Sequence, residues 1–144
     1  MNGAARALPR LMEPRQIVVV AEDDDELREL LVAALESDTR QVVEVEDGSE
    51  LLDYLEFIAG RGVQANLPDL ILTDVQMPGA SGLDVVAWAR AMGVTCPFVI
   101  LTGYADDRLK EAALKVGDTR VLSKPQTLGA IRAAANEALA RPRT

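Results

Sequence analysis

An alternation, repeated five times, constrains this chain more than any other feature: a short apolar run, then a stretch with helical period. The runs are Ile17-Val18-Val19-Val20, Val42-Val43 with Val45, Leu70-Ile71-Leu72, Phe98-Val99-Ile100-Leu101 and Val121-Leu122. Continuous runs this short read as strands buried on both faces. In the second, Gln41, Glu44 and Glu46 interleave with the valines, which suits an edge strand. The stretches between carry apolar stripes at helical spacing. These are Leu27, Leu30, Leu31, Ala34 and Leu35; Leu51, Leu52, Leu55, Ile58 and Ala59; Leu83, Val86, Ala87 and Ala91; Leu109, Ala112, Ala113 and Val116; and Leu128, Ile131, Ala135, Ala138 and Leu139. Asp24 or Asp25, Ser81 and Asp106 stand where N-caps belong.

Strand and helix in strict alternation imply a parallel sheet, right-handed crossovers and helices on both faces. The expected fold is a doubly wound α/β domain with a five-stranded parallel sheet in the order 2-1-3-4-5, which leaves the polar second run and the short fifth at the edges. It covers residues 16–140, with no internal repeat and no spare segment for a second domain. Residues 1–15 mix Ala, Arg and Pro without sustained period and are expected to form a mobile arm; residues 141–144 are a short tail.

That strand order sets a few side chains beside one another. Ligands of open α/β sheets bind at the carboxyl ends of the strands. There the first strand delivers Glu22 and Asp23, the third Asp74, the fourth Thr102 and the fifth Lys124. Each has an ordinary explanation alone: an Asp that caps a turn, a turn hydroxyl, a surface lysine. Capping at the positive end of a helix accounts for one or two of the five consecutive acids Glu22 to Glu26. Convergence of all these groups on one sheet end is harder to explain that way. Carboxylates this close repel and raise one another's pKa, and a divalent cation relieves the repulsion. Oxygen donors without His or Cys point to Mg²⁺. A cation, an ammonium and a hydroxyl together suit a phosphoryl group, which a carboxylate can attack as nucleophile.

Composition closes other routes. The chain has no His, which excludes a Ser-His-Asp hydrolase, a His-based zinc site and a phosphohistidine of its own. The formal charge of −8 argues against direct nucleic-acid binding. Arg6, Arg10, Arg15, Arg141 and Arg143 lie in the terminal segments, so residues 16–140 are more acidic still, with 10 basic against 22 acidic groups. Cys96 is the single cysteine, read as a small buried hydrophobe, so no internal disulfide forms. No apolar run reaches the length of a membrane span and no signal-peptide core opens the chain, so a cytoplasmic location is expected. A nucleotide-binding role lacks its Gly-rich fingerprint.

Four blocks in order carry a resemblance: Val18-Val19-Val20-Ala21-Glu22-Asp23; Asp69-Leu70-Ile71-Leu72-Thr73-Asp74 through Met77-Pro78-Gly79; Leu101-Thr102-Gly103; and Lys124-Pro125. Over residues 16–140 the chain resembles the receiver domains of two-component response regulators, of the chemotaxis-regulator type with a flavodoxin-like fold. The resemblance implies a phosphoacceptor domain rather than an enzyme, with slow self-dephosphorylation. Asp74 would be phosphorylated by a partner histidine kinase or phosphotransfer protein. Asp23 would bind Mg²⁺ directly and Glu22 through water, with Asp74 and the backbone carbonyl of Gln76 completing the ligands. Thr102 would hydrogen-bond the phosphoryl group, and Lys124 would pair with it, positioned by a cis bond before Pro125. A downstream protein target would then be engaged or released, with an oligomeric state that depends on phosphorylation as one route. No output segment follows residue 140, so the chain is expected to act alone or to be a piece of a longer protein.

Two positions depart from the family pattern. Receivers usually carry Tyr or Phe three residues before the Lys, where this chain has Val121, and an aromatic after Lys-Pro, where it has Gln126. Output would then use Tyr104, the loop after Asp74, or oligomerisation. By the same resemblance Gln76 and Tyr104 would flank the path of attacking water, so Tyr104 is expected either to shield a phosphoryl group or merely to pack on its loop. Two competitors are a receiver-like scaffold that binds partners without phosphorylation, which Val121 and Gln126 favour, and an Asp-nucleophile phosphatase. The phosphatase would need an acid where Gln76 stands.

Overall fold

The computed structural model describes residues 15–60, 67–104, 106–124 and 126–140. The expected arm over 1–14, most of the loop from Gly60 to Pro68, the bond before Pro125 and the tail from 141 lie outside them. The elements are β1 (Gln16–Ala21), α1 (Asp25–Leu35), β2 (Arg40–Val45), α2 (Gly48–Gly60), β3 (Leu70–Asp74), α3 (Gly82–Ala91), β4 (Phe98–Thr102), α4 (Asp107–Lys115), β5 (Thr119–Ser123) and α5 (Leu128–Ala140). The five strands pair in parallel in the order β2-β1-β3-β4-β5, as expected.

Strand residues alternate between two cores. Val19, Ala21, Ile71, Phe98 and Ile100 face one side, where Leu51 and Leu55 of α2 and Val85, Val86 and Ala89 of α3 cover them. Val18, Val20, Leu70, Leu72, Val99 and Leu101 face the other, under Leu31 and Leu35 of α1 and Ile131, Ala135 and Ala138 of α5. Both faces of the central strands are therefore dry, which is why their sequences run apolar without alternation. Each fully buried Leu or Ile contributes about 1.5–3 kcal/mol relative to exposure.

The caps form at Asp24, Ser81 and Asp106, whose side chains accept from the amides of Leu27, Asp84 and Leu109. Three expectations change. The buried face of α3 is Val85, Val86 and Ala89, whereas Ala87 and Ala91 are exposed. That helix is apolar nearly all round, so periodicity permits two stripes and the sheet selects one. On α1, Leu30 is 52% exposed and Arg28 is buried in its place. Arg15, assigned by sequence to the arm, instead donates to the carbonyls of Ser37 and Arg40 at 3.2 and 3.0 Å.

Arg90 of α3 ties down the opposite end of the sheet. Its guanidinium donates to the carbonyls of Val116 (2.7 Å), Val94 (2.9 Å), Cys96 (2.7 Å) and Asp118 (2.9 Å), and lies 5.3 Å over the Phe98 ring. A lysine ammonium cannot span carbonyls on both sides of this arrangement. Arg90→Lys is expected to lower stability by about 1–3 kcal/mol, seen as an earlier urea midpoint with an unchanged slope. An unchanged midpoint would show that the four carbonyls are equally well served by water.

Candidate functional site

Glu22 and Asp23 follow β1, Asp74 ends β3, Thr102 ends β4 and Lys124 follows β5. Backbone bonds fix each exit. The Glu22 amide donates to Val45 (3.2 Å), the Val75 amide to Leu101 (2.9 Å) and the Lys124 amide to Thr102 (2.6 Å). The start of α3 presses on the loop after Asp74. Gly82 donates to the Val75 carbonyl at 2.9 Å, and a Cβ at Gly82 would run into the main-chain oxygen of Asp74. Gly79 holds the intervening turn at φ +89°, a left-handed conformation that suits glycine.

A cleft of about 480 Å³ opens at this end of the sheet, lined by Glu22, Asp23, Asp74, Gln76, Thr102 and Lys124 among others. Every site residue read from the sequence thus borders one cavity. Carboxylate oxygens of Glu22, Asp23 and Asp74 lie within 4.8 Å of one another. Lys124 Nζ sits 2.6 Å from Asp74 Oδ1 and 3.5 Å from Glu22 Oε1. Asp74 and Glu22 are buried, at 4% and 1% exposure, whereas Asp23 is open to solvent. Thr102 Oγ1 is engaged locally: it donates to the Tyr104 carbonyl (3.2 Å) and accepts from the Tyr104 amide (3.1 Å). Tyr104 itself is 77% exposed.

The electrostatics follow from burial. Loss of hydration, and then a hydrogen bond and charge repulsion with Asp74, push the Glu22 carboxyl above its ordinary value of 4.5, against the amide of Asp24 that favours its charged form. Burial also works against the charge of Lys124, but contact with Asp74 and Glu22 outweighs it and raises the ammonium pKa. Three carboxylates against one ammonium leave a formal excess of two negative charges, which a single divalent ion balances. The donors are all oxygen, a set that fits Mg²⁺.

Sequence reasoning missed one neighbour. Arg28 of α1, 7% exposed, donates from Nη1 to the main-chain carbonyl of Glu22 at 2.8 Å. Its only signal in the sequence is a lone cation two residues after a run of five acids.

A doubly wound sheet whose carboxyl end gathers an acidic triad, a lysine and a threonine defines a class of acidic-pocket signalling domain. The chain belongs to the response regulator receiver domain family, whose model matches residues 18–136. It is 36% identical over 124 residues to the transcriptional regulatory protein FixJ of Azorhizobium caulinodans, covering 86% of this chain and 55% of that one. It is 32% identical over 121 residues to the response regulator protein PilR of Pseudomonas aeruginosa, covering 82% of this chain and 25% of that one. The chain therefore spans about half or less of the length of these relatives. Among solved structures, a response regulator receiver domain protein from Clostridium thermocellum superposes with a TM-score of 0.72 at 26% identity, over 86% of this chain and 94% of that one. No helix of the described residues is long and apolar enough to cross a membrane.

The raised Glu22 pKa carries a sign. Folded Glu22 holds its proton more tightly than unfolded Glu22, so its contribution to stability is complete below pH 4.5 and lost as pH rises through the elevated folded value. In metal-free buffer at a pH above that folded value, Glu22→Gln is expected to melt above wild type, and the gap should close as pH falls below 4.5. Melting curves across that range check this; a gap independent of pH would mean the gain comes from packing.

Proposed function

We propose that this domain accepts a phosphoryl group on Asp74 from the phosphohistidine of a histidine kinase or phosphotransfer protein, and that the change at the cleft alters its contacts with a downstream protein. The observation that supports this most directly is the buried Asp74 carboxylate held 2.6 Å from Lys124 Nζ, with Glu22 and Asp23 beside it. Asp74 Oδ2, the oxygen not paired with Lys124, is free of that contact and is the natural nucleophile. As its bond to phosphorus forms, the phosphorus–nitrogen bond of the donor breaks and the imidazole leaves. Lys124 then faces the added negative charge at short range in a partly dry cleft, where such contacts are strong. Glu22, Asp23, Asp74 and the backbone carbonyl of Gln76 would hold Mg²⁺, which supplies charge neutralisation at the phosphoryl oxygens. Thr102 would donate its hydroxyl to the phosphoryl group on leaving Tyr104.

The donor and acceptor here are a carboxylate and a small, strongly charged group, so a small phosphodonor tests the chemistry without the partner. Incubation with Mg²⁺ and acetyl phosphate is expected to give one phosphate adduct by intact mass. The adduct should be absent from Asp74→Asn and from a sample without Mg²⁺. An adduct that persists in Asp74→Asn would refute the acceptor assignment. No adduct, with no beryllofluoride binding either, would favour a scaffold that works unphosphorylated. Tyr104 follows Thr102 and Gly103, which line the cleft, and its side chain is exposed, so if it screens the cleft mouth Tyr104→Ala is expected to shorten the adduct's lifetime several-fold. An unchanged lifetime would reduce Tyr104 to a residue of its loop.

A further inference from the structure

Arg28 is the only buried Lys or Arg among the described residues, and every nitrogen of its guanidinium has a partner. Nη1 donates to the Glu22 carbonyl (2.8 Å), Nη2 to Asp25 (2.7 Å) and Nε to Glu44 (3.2 Å), and Glu46 lies 3.7 Å from Nη2. Asp25, Glu44 and Glu46 are largely exposed, and ion pairs to exposed acids contribute little to stability. The dry contact is the one to Glu22. That residue is held on every side: its amide by Val45, its carbonyl by Arg28 and its Oε2 by the Asp24 amide at 3.1 Å. Asp23 follows directly and is exposed, so its direction depends on how the Glu22 peptide is fixed.

We propose that Arg28 is a positioning residue for the cation site, acting through the Glu22 carbonyl; this rests on the cleft being a divalent-cation site. The guanidinium sets the plane of the peptide that joins Glu22 to Asp23, and so the angle at which both carboxylates meet Asp74. It also sorts the local acids into two groups. Asp25, Glu44 and Glu46 are engaged by Arg28, while Glu22, Asp23 and Asp74 are left to face the cleft. Lysine keeps the charge but offers one nitrogen, which cannot serve Glu22, Asp25 and Glu44 together. Arg28→Lys therefore changes geometry at nearly constant field.

Mg²⁺ demands near-ideal octahedral geometry, whereas Ca²⁺ tolerates irregular donors. Loss of positioning should therefore cost Mg²⁺ more than Ca²⁺. Calorimetric titration of the full chain with each ion, at a temperature where all variants are folded, tests this. Arg28→Lys is expected to bind Mg²⁺ several-fold more weakly with Ca²⁺ affinity little changed, so the Mg²⁺-to-Ca²⁺ ratio falls. Arg90→Lys, which removes a comparable carbonyl clasp at the far end of the sheet, is expected to lower stability and leave that ratio alone. A wild-type chain that binds neither ion would overturn the cation-site reading itself. Wild-type binding with an unchanged ratio in Arg28→Lys, or a ratio that falls equally in Arg90→Lys, would overturn the role of Arg28. Should Arg28→Lys not fold, Glu44→Gln loosens the guanidinium from the solvent side; it is expected to lower the ratio to a smaller extent, and no change there would overturn the proposal too.

Discussion

The contact between Lys124 and Asp74 spans the sheet from the end of β5 to the end of β3, across the whole width of β4. Everything else at the carboxyl edge is arranged around it. A carboxylate as buried as Asp74 needs a partner, because desolvation makes an isolated charge expensive. One ammonium cannot satisfy three acids, and the surplus falls on Glu22, the most buried of them, whose affinity for its proton rises. The cleft is thus left short of positive charge by construction. That shortage is what a divalent cation would relieve, as the proposed reading requires.

Such an arrangement requires that the strand ends cannot drift. The register pins them: Asp74 is level with Leu101, and Thr102 with Ser123, one residue before Lys124. Beneath them the central strands are buried on both faces, so a shift of one strand would move apolar side chains through two packed cores at once. The two cores therefore fix where a few polar atoms stand. Gly82 serves the same end from outside, since its missing side chain lets the start of α3 rest on the Asp74 carbonyl.

Most of this architecture was legible in the sequence because it rests on period and order. Runs such as Leu70-Ile71-Leu72 and caps such as Ser81 and Asp106 are local signals, and alternation with right-handed crossovers carries them to a strand order. Asp23, Asp74, Thr102 and Lys124 then meet as a matter of topology. What periodicity could not decide was rotation about a helix axis. On α3 the stripe through Leu83 and Ala87 and the one through Val85 and Ala89 are nearly equally apolar, so contact with the sheet had to choose. On α1 the pattern favoured Leu30 over Arg28 because a hydrophobicity stripe scores side chains by type. Arg28 is buried for its bonds to the Glu22 carbonyl, to Asp25 and to Glu44, with Glu46 beside them; Glu44 and Glu46 come from another element and are invisible to a local window.

Val121 and Gln126 pose the harder question of how events at Asp74 reach the surface without the aromatics that receivers usually place there. The structure narrows the choices. Gln126 donates to the Ser123 carbonyl at 2.8 Å and does not line the cleft; it borders instead a smaller pocket with Leu27, Leu101, Lys124 and Ile131. Val121 is half-buried and too small to exchange between inward and outward positions as a ring does. Thr102 is different. Its hydroxyl is bound to both peptide groups of Tyr104, so turning it into the cleft breaks two bonds at once and leaves that amide and carbonyl to find new partners. That segment carries the most exposed aromatic of the described residues, Tyr104. On the reading proposed above, a change of one rotamer at Thr102 would become a change of backbone on the surface, with no side chain at position 121 required to carry it.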